Sequence, residues 1–430
     1  MNQQLELPFN NFSFDICNSF DSSSTFIDNM KLPVHRWFRY SAGFSAQWVE
    51  TIITQFKERG ETTVLDPFAG SGTTLLVSEK LGVQCFGIEA HPFVARIARA
   101  KLLYQTDADA YVEHITKVIK RAENLKACID TYPKLIHQCF SLSSLESLDK
   151  FRQAWEEFAD DSSQSQLAWL TLISILRHVS HAGTAPWQYI LPNKKKQSFL
   201  EPMSAFRLMS EIMATDMRIV GKMAAATATL IQSDARTCQG IPDNSANLII
   251  TSPPYANNYD YADATRLEMC FMKEISGWSD LQSTVRQYLI RSCSQHVTNK
   301  NVNFDEILAS PELEPLKPSI IATCHQLFKE RNLHGGKKNY HLMIACYFFD
   351  MSRVWTALRR VCKTPATICF VIGDSAPYGV YIPVIEWMGL LAQAAGFKSF
   401  EFEKIRDRNI KWKNRKHTVP LCEGCLWVQG

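Results

Sequence analysis

The chain has 430 residues, roughly three times the ~150 residues of a typical domain, which excludes a single small module and leaves one elaborated domain or two domains. Apolar types make up 46% and charged types 21%, the balance of a folded globular protein and too apolar for wholesale disorder. With 46 Lys and Arg against 43 Asp and Glu, the net charge of +3 excludes a histone-like basic protein and leaves a local basic face as the electrostatic route to nucleic acid.

In chain order, Met1 to Phe14 has no Lys or Arg followed by an apolar block, so it does not read as a secretory signal. Low complexity is confined to Asp21–Thr25, and residues 1–30 are read as an N-terminal extension. Thr62 to Asp66 form a short β-prone run, Phe68 to Gly72 a turn of mostly small residues, and Thr73 to Leu76 open a helix. A second apolar run, Val83 to Ile88, ends on Glu89 and precedes a helix-like stretch to Leu103, which completes a βαβ half-unit of a parallel sheet.

From Asp107 to about Ala225 the pattern becomes mostly helical, with a loop around Gly183–Trp187. Its longest clean apolar run, Leu167 to Leu176, is far short of the ~20 residues of a membrane span, so no membrane association is expected. Alternation resumes at Thr229–Ile231 and at Ala246–Thr251, which ends on Ser252-Pro253-Pro254-Tyr255. Residues 277–339 read as irregular, with Pro311, Pro315 and Pro318. A helix over about 341–361, a strand over Ala366–Ile372, a helix over Ile382–Ala395 and β-prone runs at 397–405 and 418–428 follow. The expected architecture is α/β, with a core of residues 31–105, 226–276 and 340–430. Two insertions interrupt it: 106–225, a candidate for target recognition, and 277–339, a candidate for DNA contact. The thirteen Cys, an odd number, suit reduced thiols and a cytoplasmic location.

Asp66 to Gly72 lies at the carboxyl end of the first strand, where open α/β sheets bind ligands, and Glu89 follows Asp66 at the end of the next. A carboxylate at Glu89 can accept hydrogen bonds from both ribose hydroxyls of a nucleoside cofactor. The turn lacks the third glycine of a dinucleotide fingerprint and the Gly-Lys-Ser/Thr of a phosphate loop. Asp66 would repel a pyrophosphate and attract an ammonium. S-adenosyl-L-methionine offers an ammonium, a ribose and an adenine with no phosphate; a tight structural turn is the plainer alternative.

Thr251 to Tyr255 is the second constellation. Two prolines fix two φ angles and remove two N–H donors, which leaves a stiff cluster of acceptors beside an aromatic ring. Ser252 Oγ and the Pro253 carbonyl can hold the hydrogens of an exocyclic base amine, while Tyr255 stacks on a base extruded from the duplex. A proline-rich turn after an edge strand is the structural alternative.

Asp66-Pro67-Phe68-Ala69-Gly70-Ser71-Gly72-Thr73-Thr74 resembles motif I, and Thr251-Ser252-Pro253-Pro254-Tyr255 motif IV, of the exocyclic-amino DNA methyltransferases. The serine form of motif IV is most similar to the N4-cytosine members, although motif I precedes motif IV here and many serine-type members run in the reverse order. Glu89 matches the motif II acid, Ser233–Arg236 resembles motif III, and His35–Phe44 is similar to the segment that closes over the methionine end. The resemblance implies a doubly wound, Rossmann-like methyltransferase sheet and S-adenosyl-L-methionine as cofactor. It assigns Asp66, Phe68, Ala69, Gly70, Gly72 and Thr73 to the methionine end, Glu89 to the ribose and Asp234 to the adenine. It assigns Ser252, Pro253, Pro254 and Tyr255 to the target base, in double-stranded DNA, with a cognate restriction or defence nuclease as a candidate partner. No metal is implied. N6-adenine methylation is the nearest alternative; RNA methylation and a non-catalytic, cofactor-bound scaffold are further ones. The absence of a Pro-Cys dipeptide disfavours carbon-5 cytosine chemistry.

Three further signals carry expectations. Lys194–Lys196, after Trp187, Tyr189 and Pro192, could grip phosphates from a loop or be a solvated run. Lys398 to Lys416 gathers eight Lys or Arg around Trp412 and is expected to contact backbone phosphate. Cys422-x-x-Cys425 is expected to mark a turn in a late hairpin rather than a zinc site, and Tyr259-Asp260-Tyr261 to line the base pocket or support its wall.

Overall fold

The computed structural model describes residues 26–40, 43–185, 188–221, 227–297, 302–335, 338–408 and 419–430. In chain order the strands are β1 (Thr63–Asp66), β2 (Gln84–Ile88), β3 (Ala182–Thr184), β4 (Ile190–Lys195), β5 (Ala228–Ile231), β6 (Ala246–Thr251), β7 (Cys362–Gly373), β8 (Ser399–Arg408) and β9 (Leu421–Gln429). Seven of them form one sheet in the order β5-β2-β1-β6-β7-β9-β8. The first five are parallel, and β9 and β8 close one edge as an antiparallel pair. This is the expected doubly wound, Rossmann-like sheet.

The strands read as nearly continuous apolar runs because both faces are covered. Leu65, Ile249, Ile368 and Leu426 face one core, which the helix Tyr340–Val361 and residues of the second insertion fill. Val64, Leu248, Cys369 and Trp427, one position along in each strand, face another core beneath the helix Ala46–Arg59. Strand order reverses between β1 and β6: the chain leaves β1 toward β2 and β5, then returns to β6 on the other side. A crevice therefore opens beyond the carboxyl ends of β1 and β6.

The first insertion forms five helices among the described residues, the longest being Ser163–Val179 and Pro202–Val220. Where the sequence suggested a loop, it also carries the antiparallel β3–β4 hairpin. Lys194 and Lys195 belong to β4 and are exposed, whereas Lys196 donates to the Arg177 carbonyl at 2.5 Å. The second insertion is more ordered than its prolines suggest, since Lys317–Leu333 is a helix. Pro318 sits in its first turn, where a missing N–H costs nothing, and Ile320, Cys324 and Leu327 are the narrow buried stripe.

The Cys422–Cys425 pair lies within β9 rather than in a turn. Residues three apart on a strand point to opposite faces, so the two thiols cannot share a metal. Of the expected basic cluster, Lys404 pairs with Asp407 at 2.6 Å, and Arg406 and Arg408 reach Glu423 at 2.7 and 3.4 Å. Three of its four described cations are thus engaged internally; Lys411, Trp412, Lys413, Arg415 and Lys416 lie outside the described residues, as does Trp187. No helix among the described residues is long and apolar enough to cross a membrane.

Candidate functional site

The turn after β1 is built by two glycines in the left-handed region, Gly70 (φ 53°) and Gly72 (φ 90°). Gly72 caps the helix Thr73–Lys80, and a Cβ on Gly70 would stand 3.3 Å from the Tyr40 ring. The Ala69 N–H donates to the Ile88 carbonyl at 2.9 Å, which ties the turn to the end of β2.

Asp66 is buried and fully engaged. One carboxylate oxygen accepts from the Phe68 N–H at 3.0 Å and from the Thr251 hydroxyl at 2.6 Å, and the other accepts from the Thr74 hydroxyl at 2.6 Å. Burial nevertheless outweighs these bonds and lifts its pKa from 3.8 to about 6. Glu89 accepts from the Gly70 N–H at 2.8 Å and the His91 N–H at 2.7 Å, and burial pushes its pKa to about 7.

A cleft open to solvent lies over these strand ends. Phe68, Gly70, Glu89 and Asp234 line it from the cofactor-type turns, and Ser252 and Pro254 from the turn after β6. An adjoining recess is lined by Asp66, Ala69, Ser71 and Thr73, by Tyr40 and Phe44 of the N-terminal segment, and again by Ser252. The two constellations therefore share one cavity. The buried Pro253, together with Gly72 and Tyr255, lies outside the lining of both spaces.

Around the second turn, the Ser252 hydroxyl donates to the Val371 carbonyl at 3.1 Å and also lies in hydrogen-bonding reach of the Tyr255 hydroxyl, which leaves one lone pair to accept. The Pro254 carbonyl accepts from Tyr347 at 2.9 Å. The Tyr255 ring lies 5.0 Å beneath the Arg408 guanidinium, and its N–H points at the Tyr261 hydroxyl at 3.4 Å. Tyr261 lines the cleft, while Asp260 supports its wall through Arg286 at 2.7 Å and His296 at 3.3 Å. Asp260, Cys293 and His296 approach one another closely enough to suggest metal ligation, but the Arg286 guanidinium already occupies the carboxylate.

Asp234 lines the cleft while both its oxygens receive Arg236, at 2.7 to 3.0 Å. Arg236 also contacts the buried Asp350 at 3.3 Å, which binds Arg291 at 2.7 Å. Tyr40 and Phe44 belong to the His35–Phe44 segment singled out in the sequence, whereas sequence reasoning missed His91, Tyr347 and the wall formed by Tyr288, Leu289 and Ile290 of the second insertion. His91, immediately after the Glu89-Ala90 pair, was the accessible signal; the others come from distant parts of the chain.

The lining suits a nucleoside that carries a positive charge and no phosphate. It presents Glu89 and Asp234 but no Lys or Arg among the described residues, alongside the apolar surfaces of Phe68, Leu289 and Ile290.

Comparison with known proteins agrees with this chemistry. The N6/N4 methyltransferase family model, described as DNA methylase, matches residues 6–100, which include the β1 turn and Glu89. The Type II methyltransferase M.BsoBI of Geobacillus stearothermophilus is 25% identical, over 88% of this chain and 82% of its own. M.AvaI of Nostoc sp. is likewise 25% identical, over 87% and 81%. M.MjaII of Methanocaldococcus jannaschii is 38% identical over only 16% of this chain and 13% of its own. Among solved structures, the rRNA methyltransferase aviRa from Streptomyces viridochromogenes aligns with 90% of this chain and 85% of its own at 9% identity, but its TM-score of 0.26 is too low to bear on the fold. The family match and the two long relatives together support the N6/N4 DNA methyltransferase family for this chain.

Proposed function

We propose that this protein transfers a methyl group from S-adenosylmethionine to the exocyclic N4 amine of cytosine in duplex DNA. The DNA methyltransferases of this family use that donor, which supplies a sulfonium methyl when bound. The observation that carries the reading is the cleft that Phe68, Gly70 and Glu89 share with Ser252 and Pro254. It allows a cofactor and an extruded base to meet without a covalent enzyme intermediate, so that positioning supplies most of the rate.

In this reading Glu89 accepts the ribose hydroxyls, Asp234 the adenine amine, and Asp66 with the Phe68–Thr73 backbone frames the methionine end. Ser252, whose proton is committed to Val371, accepts one hydrogen of the target amine, and the Pro253 carbonyl accepts the other. Withdrawal of both hydrogens into acceptors localises the nitrogen lone pair for in-line attack. Tyr255, held by Arg408, offers the stacking ring. The serine form of the motif favours cytosine over adenine. The names of the long relatives favour a restriction-modification setting, with the enzyme acting in the cytoplasm beside a cognate nuclease.

The test is incubation with S-adenosylmethionine and mixed plasmid DNA, then digestion to nucleosides and mass spectrometry. N4-methylcytosine is the expected product. N6-methyladenine alone would overturn the base assignment, and label entering RNA but not duplex DNA would overturn the substrate class.

A further inference from the structure

The tip of the β3–β4 hairpin touches both walls of the cleft. The Gln188 side-chain amide donates to the Arg39 carbonyl at 2.6 Å. The next side chain, Tyr189, accepts from the Asp260 N–H at 2.7 Å, and its ring packs 5.2 Å from Tyr259. Each contact falls one residue before a tyrosine that lines the cleft: Arg39 precedes Tyr40, which lies over Gly70, and Asp260 precedes Tyr261, which meets the Tyr255 N–H.

The tip itself is over-determined. Gln188 is 3% exposed and holds a left-handed backbone (φ 65°) that a non-glycine residue rarely adopts. Its N–H donates to Ala185 at 2.9 Å, and its carbonyl accepts from Arg177 at 2.7 Å. Arg177 is in turn paired with the buried Glu268 at 2.6 Å. Strain of this kind persists only where surrounding contacts impose it, and it gathers at sites where a residue is held for a purpose.

We propose that Gln188 and Tyr189 are positioning residues, which fix Tyr40 on the cofactor side and Tyr261 on the target-base side. Through them the helical insertion sets the separation between methyl donor and acceptor. The proposal rests on the methyltransferase reading and deepens it.

Two variants of the full-length protein test it. Gln188→Gly removes the buried amide while suiting the left-handed backbone, so the turn itself is not strained; Tyr189→Phe removes only the hydroxyl. Calorimetric titration with S-adenosylmethionine, steady-state methyl transfer to DNA and urea unfolding are measured for each. Gln188→Gly is expected to weaken cofactor binding about tenfold while kcat at saturating cofactor changes little. Tyr189→Phe is expected to lower kcat about tenfold with cofactor affinity unchanged. Wild-type constants in both variants, or equal losses in both parameters that track stability, would overturn the proposal. A wild-type protein that bound no S-adenosylmethionine would instead overturn the underlying functional reading.

Discussion

The hydroxyl of Thr251, the last residue of β6, donates to the carboxylate of Asp66, the last residue of β1, at 2.6 Å. The two residues are far apart in sequence, yet this bond joins the turn of one constellation to the turn of the other at the point where strand order reverses. Ser252 follows Thr251 directly, so the bond also sets where Ser252 enters the recess beside Tyr40 and Ala69.

Thr251→Val keeps the shape and removes the donor. At pH 8 it is expected to destabilise the protein by about 1–3 kcal/mol in urea unfolding, with Thr251→Ser close to wild type. The raised pKa of Asp66, about 6 against 3.8, means that its contribution to stability is fully present below pH 3.8 and is lost as pH rises through 6. The Thr251 bond favours the ionised form, so the penalty in Thr251→Val should shrink on going from pH 8 to pH 5.

Cofactor affinity should depend on pH through Glu89. Burial raises its pKa from 4.5 to about 7, so the free protein passes from a neutral to an ionised carboxyl around neutrality. Two ribose hydroxyls bind the ionised acceptor better, so the dissociation constant for S-adenosylmethionine should fall as pH rises from 6 to 8 and then level off. Glu89→Gln should bind at least about tenfold more weakly and lose the pH dependence.

Tyr255 is expected to act through its ring. Tyr255→Ala should lower kcat/KM for DNA by about 10–100-fold, the worth of one base–aromatic stack, with cofactor affinity unchanged in calorimetry. Tyr255→Phe retains the ring beneath Arg408 and should stay within a few-fold of wild type.

Asp216 of the helix Pro202–Val220 ties the first insertion to the segment that carries Tyr40. Its carboxylate accepts from the Val34 N–H at 3.0 Å, the Trp37 indole at 2.9 Å and the Arg36 guanidinium. On the other side of the segment, the buried Lys101 donates to the His35 and Phe38 carbonyls at 3.0 and 3.2 Å. Asp216→Ala leaves Arg36 unpaired and two buried donors unsatisfied, and should cost about 3 kcal/mol in unfolding experiments as well as weaken cofactor binding.

The sheet was legible because β1, β2, β6 and β7 are apolar runs that end in turn chemistry, and a buried parallel strand has no other way to read. The short motifs Asp66–Gly72 and Ser252–Tyr255 were legible because each lies at a strand end, where the fold itself assigns ligand contact. The β3–β4 hairpin was hidden by its three-residue first strand and by a turn that rests on a left-handed Gln188 rather than on glycine. Tyr347 and the Tyr288–Ile290 wall were illegible for another reason: each reaches the cleft through packing between segments distant in the chain, as when Asp350 and Arg236 bring the second insertion beside Asp234. The internal pairing of Arg406 and Arg408 was likewise beyond a count of charges, because Glu423 arrives from the neighbouring strand.

The most direct test of the central claim is single-turnover transfer of labelled methyl to duplex DNA by wild type and Ser252→Ala, with S-adenosylmethionine and DNA affinities measured alongside. The predicted result is a transfer rate at least about 100-fold lower in Ser252→Ala with both affinities within a few-fold of wild type. Transfer at the wild-type rate by Ser252→Ala would contradict the assignment of the chemistry to this cleft.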